Sequence, residues 1–111
     1  MRLPKAEQAL VPRNKVVHYL LSQTHPFGKM KARFFWRLGF HPEHPETLIS
    51  ALKRLAQEYN VVKREQTPYG EKFVVDGWLK SPEGKQARVR TVWIIEHGQH
   101  IPRLITAYPL E

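Results

Sequence analysis

The order of patterns along the chain predicts an α+β fold, with three N-terminal helices followed by a four-stranded, mostly antiparallel sheet covered on one face by the helices. Two observations carry this reading. Up to Asn60 the apolar residues recur at helical spacing, whereas from Val61 onward β-branched and aromatic residues dominate short runs separated by turn sequences. The nine prolines fall at the joints between these segments, and no repeat or low-complexity tract interrupts them. A single domain is expected over residues 1–111, helical over about 13–60 and a sheet over about 61–109.

Asn14 is the expected N-cap of a first helix ending near Ser22, with Val17, Leu20 and Leu21 as its apolar stripe. A second helix is expected from near Gly28 to Gly39, where a glycine suits the residue after a helix end. The third follows His44, with Pro45 in the first helical position and Leu48, Ile49, Leu52, Leu55, Ala56 and Tyr59 on one face, and ends near Asn60. Strands are expected over Val61–Gln66 and Lys72–Leu79, joined by the turn Thr67-Pro68-Tyr69-Gly70. After the turn Ser81-Pro82-Glu83-Gly84, a third strand is expected over Ala87–Glu96 and a last one over Arg103–Tyr108.

Composition narrows the function. Eighteen Lys and Arg against ten Asp and Glu give a net charge of +8, a large field for a small domain. Such a field attracts nucleic acid, an acidic protein or an anionic surface. No apolar run approaches the ~20 residues of a membrane helix, so no membrane role is expected. Cysteine is absent, which removes disulfides, thiolate metal sites and cysteine nucleophiles. With no leader-like N-terminus, this suits a cytoplasmic protein. There is no phosphate-binding glycine loop and no dinucleotide fingerprint, and no cofactor is expected. His41 and His44 have the spacing of a metal pair, but prolines follow both and no third ligand is near. Asp76 is the only aspartate, so the clustered acids of a two-metal nuclease are missing and no metal site is expected.

The candidate residues lie in three places. In His25-Pro26-Phe27-Gly28-Lys29-Met30-Lys31-Ala32-Arg33-Phe34-Phe35-Trp36-Arg37-Leu38-Gly39-Phe40, helical spacing puts Lys29, Arg33 and Arg37 on one face. Lys31 instead shares a face with Phe34, Phe35 and Leu38, so it either snorkels to solvent or points into a partly buried site. His25, just before that helix, is either polar surface or, beside a helix N-terminus and cations, a phosphate ligand or proton carrier. On the third strand, Arg88 and Arg90 share a face with Val92 and Ile94, and are either solvent-facing edge residues or a phosphate clamp. On the last strand, Arg103, Ile105 and Ala107 fall on one face and Leu104, Thr106 and Tyr108 on the other, so that the two hydroxyls point the same way.

The segments HPFGKMKARFFWRLGF, TPYGEKFVVDG and VRTVWIIEHGQHIPRLITAYP together resemble an uncharacterised bacterial domain family of toxin-like proteins. The helices-then-sheet order and the ending Arg-Leu-Ile-Thr-Ala-Tyr-Pro are similar to the barnase–EndoU–colicin–RelE superfamily of metal-independent ribonucleases. That resemblance implies His25 as general base or acid, Lys31 as the cation that neutralises the phosphate, Arg90 as a clamp on a non-bridging oxygen, and Thr106 and Tyr108 as positioning groups. Lys29, Arg33, Arg37, Arg88 and Arg103 are the expected RNA-binding cations. The partners implied are RNA and a small acidic antitoxin or immunity protein. The alternatives are a non-catalytic nucleic-acid-binding domain and a basic module that docks an acidic protein.

Overall fold

The computed structural model describes residues 1–22, 24 and 29–110. A short 3-10 turn, Ala6–Gln8, precedes α1 (Arg13–Lys15), which passes directly into a π-helical turn, Val16–Leu20. Then follow α2 (Lys29–Leu38), α3 (Pro45–Glu58) and four strands: β1 (Val61–Thr67), β2 (Gly70–Lys80), β3 (Gln86–Glu96) and β4 (Arg103–Pro109). The strands form one antiparallel sheet in the order β1-β2-β3-β4. The architecture is thus α+β with its helices N-terminal to the sheet.

One helix start differs from the sequence reading. The cap residue before α1 is Pro12, not Asn14. Proline fixes φ and suits the half-turn before a helix, whereas Asn14 lies inside the first turn. The helix then widens, so that the Leu21 amide bonds to Val16 O at 2.8 Å. The wider turn buries Val16 rather than Val17, along with Leu20 and Leu21. The expected start of the second helix, Gly28, lies outside the described residues. Its end is at the expected glycine: Gly39 has φ +114° and donates to Phe35 O, closing the helix. α3 opens with Pro45, and Leu48, Leu52, Leu55 and Ala56 are its buried stripe.

The core lies between the helices and one face of the sheet. Its largest members are Trp93, Phe35, Phe40 and Phe73, which have almost no exposed surface. Facing the helices, β2 presents Phe73, Val75 and Leu79, and β3 presents Val89, Thr91 and Trp93. Thr91, the buried polar residue in this layer, donates to Val75 O (2.7 Å) and accepts from Trp93 Nε1 (2.8 Å). The indole N–H therefore enters the core with a partner. Gly77 is required by close approach: a β-carbon there would lie 2.3 Å from the Tyr59 ring.

The N-terminal segment, for which the sequence reading gave no element, joins the core through Leu3, Ala6, Ala9 and Val11. Leu10 pairs in parallel with Arg103 at the start of β4, donating to Pro102 O and accepting from Leu104 N, both at 2.9 Å. That contact covers part of an otherwise open sheet edge.

The expected face assignment on β4 is corrected by a bulge. Trp93 pairs with Leu104 and Val92 with Thr106, so Ile105 is the extra residue. Alternation resets there, and Leu104 and Ala107 both turn into the core. Thr106 and Tyr108 emerge on the opposite face, across from Val92 and Arg90.

Candidate active site

The face of the sheet turned away from the core carries polar side chains in register. Asp76, Arg90 and Tyr108 stand in one row across β2, β3 and β4; Val74, Val92 and Thr106 stand in the next. Because β4 is the edge strand, a side chain from α2 can reach this face past its edge.

Lys31 does so. Its Nζ donates to Thr106 Oγ1 at 3.0 Å and to the Tyr19 hydroxyl. The same ammonium lies 4.7 Å from the centre of the Tyr19 ring and 5.7 Å from that of Tyr108. A lysine on the apolar side of a helix is thus held by two hydroxyls and two aromatic faces in a half-buried setting, not snorkelling to bulk water. The neighbours on its helix explain the aim: Ala32 and Phe35 are buried, which fixes the helix rotation and turns Lys31 to the β4 edge.

Tyr19 was not singled out in the sequence. It is carried by the π-helical turn, a local widening common at functional sites. Burial alone pushes its phenol up, but hydrogen bonding with Lys31 and Thr106 and the positive charges of Lys31 and Lys15 outweigh this. The net pKa lies below the ordinary tyrosine value. Lys15 adds its charge from 5.7 Å above the ring.

Arg90 is clasped by Asp76 in a two-pronged pair, Nε to Oδ1 at 2.8 Å and Nη2 to Oδ2 at 2.9 Å. The hydrogen bonds to Asp76 raise the guanidinium pKa despite desolvation, with Tyr108 adding a weaker pull, so the cation is permanent. The fork engages Nε and one Nη2 hydrogen, and Tyr108 is a further hydrogen-bond partner of the same guanidinium. Asp76 thus positions an arginine. Its role was legible from the turn: Asp76 and Arg90 are each seven residues from Glu83, which puts them opposite one another in a symmetric hairpin.

Four of the five residues expected at a catalytic site therefore meet: Lys31, Arg90, Thr106 and Tyr108. The fifth, His25, lies outside the described residues, six positions from both Tyr19 and Lys31 in the sequence. Of the expected RNA-binding cations, Arg33 and Arg37 are exposed on α2, and Arg88 is exposed at the next row of the sheet, opposite Trp78. Arg103 shares the open face and pairs with Glu96 at 2.9 Å. Lys29 opens α2, and its side chain lies outside the described residues. The His41–His44 pair forms no metal cluster among the described residues; His41 Nε2 instead lies 3.4 Å from Glu83. No described helix is long and apolar enough to cross a membrane.

A family model for a domain of unknown function, DUF6883, matches residues 2–111. The chain belongs to this family. No curated protein is similar enough in sequence to stand as a relative of this DUF6883 domain. Among solved structures, it is similar to a chain of a contact-dependent growth inhibition toxin–immunity protein complex from Klebsiella pneumoniae 342. The two share 18% identity with a TM-score of 0.72, over 96% of this chain and 97% of that one, which establishes a common fold.

Proposed function

We propose that this DUF6883 domain is a toxin-like, metal-independent endoribonuclease that acts on RNA in the cytoplasm and is held in check by a small acidic immunity protein. The observation that carries the reading is the meeting of Lys31, Arg90, Thr106 and Tyr108 on one face of the sheet, with the hydroxyl of Tyr19 among them. Fold likeness to a chain of a toxin–immunity complex supports it. So does the net charge of +8, which suits a chain that meets one polyanion as substrate and an acidic protein as antagonist.

RNA carries its own nucleophile, the 2′-hydroxyl. Cleavage needs a base for that proton, cations for the crowded phosphorane, and an acid for the 5′-oxygen. In this reading a non-bridging phosphate oxygen sits between Lys31 and the guanidinium of Arg90. Thr106 and Tyr108 fix its orientation. His25, by resemblance, takes the 2′-proton, and Tyr19, a phenol made more acidic by Lys31, returns one to the leaving oxygen. The O2′–P bond forms as the P–O5′ bond breaks, leaving a 2′,3′-cyclic phosphate and a 5′-hydroxyl. No clustered carboxylates take part, since Asp76 is committed to Arg90.

The test is purified protein against tRNA and total RNA in excess EDTA, with His25→Ala and Lys31→Met alongside. Cleavage by wild type alone, with cyclic-phosphate ends and DNA left intact, is the expected result. Tight, salt-sensitive RNA binding without cleavage would instead favour a non-catalytic binding domain. Neither binding nor cleavage would leave an acidic protein as the explanation for the charge.

A further inference from the structure

Next to the Lys31–Arg90 site, the open face holds a hollow of about 160 Å³ lined by Lys63, Glu65, Lys72, Val74 and Val92. Its apolar part is built by cross-strand neighbours, Val74 and Val92, in register with each other. Val92 is in turn the partner of Thr106, the hydroxyl that binds Lys31, so hollow and site are contiguous. Its polar wall comes from β1 and β2, where Lys63 stands opposite Val74, and Glu65 opposite Lys72. A bulge between Val61 and Lys63 sets this register and brings Lys63 onto the open face. Among the described residues, Lys63, Glu65 and Lys72 make no ion pair within 4.0 Å, in contrast to Arg64, Arg90 and Arg103 nearby.

We propose that this hollow is the seat for one nucleobase of the RNA, the base beside the phosphate held by Lys31 and Arg90. The inference rests on the ribonuclease reading for the identity of its ligand. Two valines offer a flat apolar surface for the face of a ring. The carboxylate of Glu65 accepts hydrogen bonds from an exocyclic amine, and the lysines donate to ring nitrogens or carbonyl oxygens. An amino-bearing base (adenine, cytosine or guanine) satisfies both walls. Uracil has no exocyclic amine and offers Glu65 only its ring N3–H, flanked by two carbonyl oxygens that the carboxylate repels.

Two readouts test this together. Methyl NMR on valine-labelled protein follows Val74 and Val92 during titration with 2′-O-methyl tetranucleotides of a single base, which bind without being cut. In parallel, cleavage positions are mapped in total RNA for wild type, Glu65→Gln and Lys72→Met. Glu65 is exposed and Lys72 half-exposed, so both variants should fold. The expected result is methyl shifts that are weakest for the uridine oligomer, and depletion of uracil at one position beside the cut. Glu65→Gln should reduce that discrimination about tenfold while lowering the total rate far less. Cleavage with unshifted methyls, or with a pattern that neither variant changes, overturns the base seat and leaves the ribonuclease reading standing. If wild type cuts no RNA, the ribonuclease reading fails. The methyl shifts then decide the seat alone: base-dependent shifts retain it, and their absence removes it.

Discussion

Replacing Lys31 with methionine separates a catalytic cation from a structural one. The substitution keeps most of the stem and removes Nζ, and with it the hydrogen bonds to Tyr19 and Thr106 and the contacts over two rings. A hydrogen bond to a charged group contributes about 1.5–3 kcal/mol. Here the hydroxyls left behind are half-buried and regain water, and a desolvated ammonium is no longer held, so the net loss of stability should be about 1–2 kcal/mol. For a domain of this size that lowers Tm by several degrees and leaves nearly all molecules folded at room temperature. Cleavage should fall much further, by about 10²–10³-fold, the usual cost of losing one preorganised charge donor at a phosphorane.

The assay pairs initial RNA-cleavage rates in EDTA with thermal melts, and adds a spectroscopic titration of the tyrosines. In the wild type, Tyr19 should ionise below the ordinary tyrosine value as pH rises, because its pKa is depressed in the folded state. Lys31→Met should erase that early phase. The linkage sign follows. Between the folded pKa of Tyr19 and the ordinary value of 10.0, the native state releases its proton before the unfolded chain does. Its contribution to stability is therefore fully present above the ordinary value and is lost as pH falls through the folded pKa. The variant should show a flatter stability profile across that window. A variant that melts lower and loses the early phase, but cleaves within about threefold of wild type, would refute a catalytic role for Lys31.

Three further predictions follow from the same geometry. Arg90→Lys keeps the charge but not the fork that Asp76 clasps, so RNA cleavage should fall about 10–10²-fold with RNA affinity nearly unchanged, read as kcat against KM. Thr91→Val leaves the buried Trp93 indole N–H and Val75 carbonyl without their partner; urea unfolding should show a loss of about 2 kcal/mol. Gly77→Ala forces a methyl against the Tyr59 ring and should cost about 1–3 kcal/mol, a cost that disappears in a Tyr59→Ala background in a double-mutant cycle.

Much of the sheet was legible because strand order here is chain order and each turn announces itself. Pro68-Tyr69-Gly70 and Pro82-Glu83-Gly84 fix two hairpins, and hairpin symmetry then fixes which residues face each other. The buried stripes of α2 and α3 were equally visible, since Phe35, Leu48, Leu52 and Leu55 recur at helical spacing. The N-terminal segment was not, because Leu3, Ala6, Ala9 and Val11 reach the core through a 3-10 turn and extended pieces that carry no single period. Tyr19 was missed for a related reason. Read as an ordinary helix, the segment places its stripe on Val17, whereas the π-turn buries Val16 and re-aims its neighbours.

The site is in fact assembled from two departures from regular geometry. Strict alternation along β4 would place Leu104 and Thr106 on the same face, and Leu104 is needed in the core opposite Trp93. One extra residue, Ile105, releases the conflict: the start of β4 closes the core, and its end turns Thr106 and Tyr108 to the open face beside Arg90. On the other side of Lys31, the π-turn does the same for a helix, burying Val16 and Leu20 while Tyr19 reaches the same ammonium. A regular strand could not bury both Leu104 and Ala107 while turning Thr106 to the open face, so the bulge serves the core and the site together. That both irregularities converge on Lys31 is the strongest physical reason to read this edge of the sheet as built for chemistry.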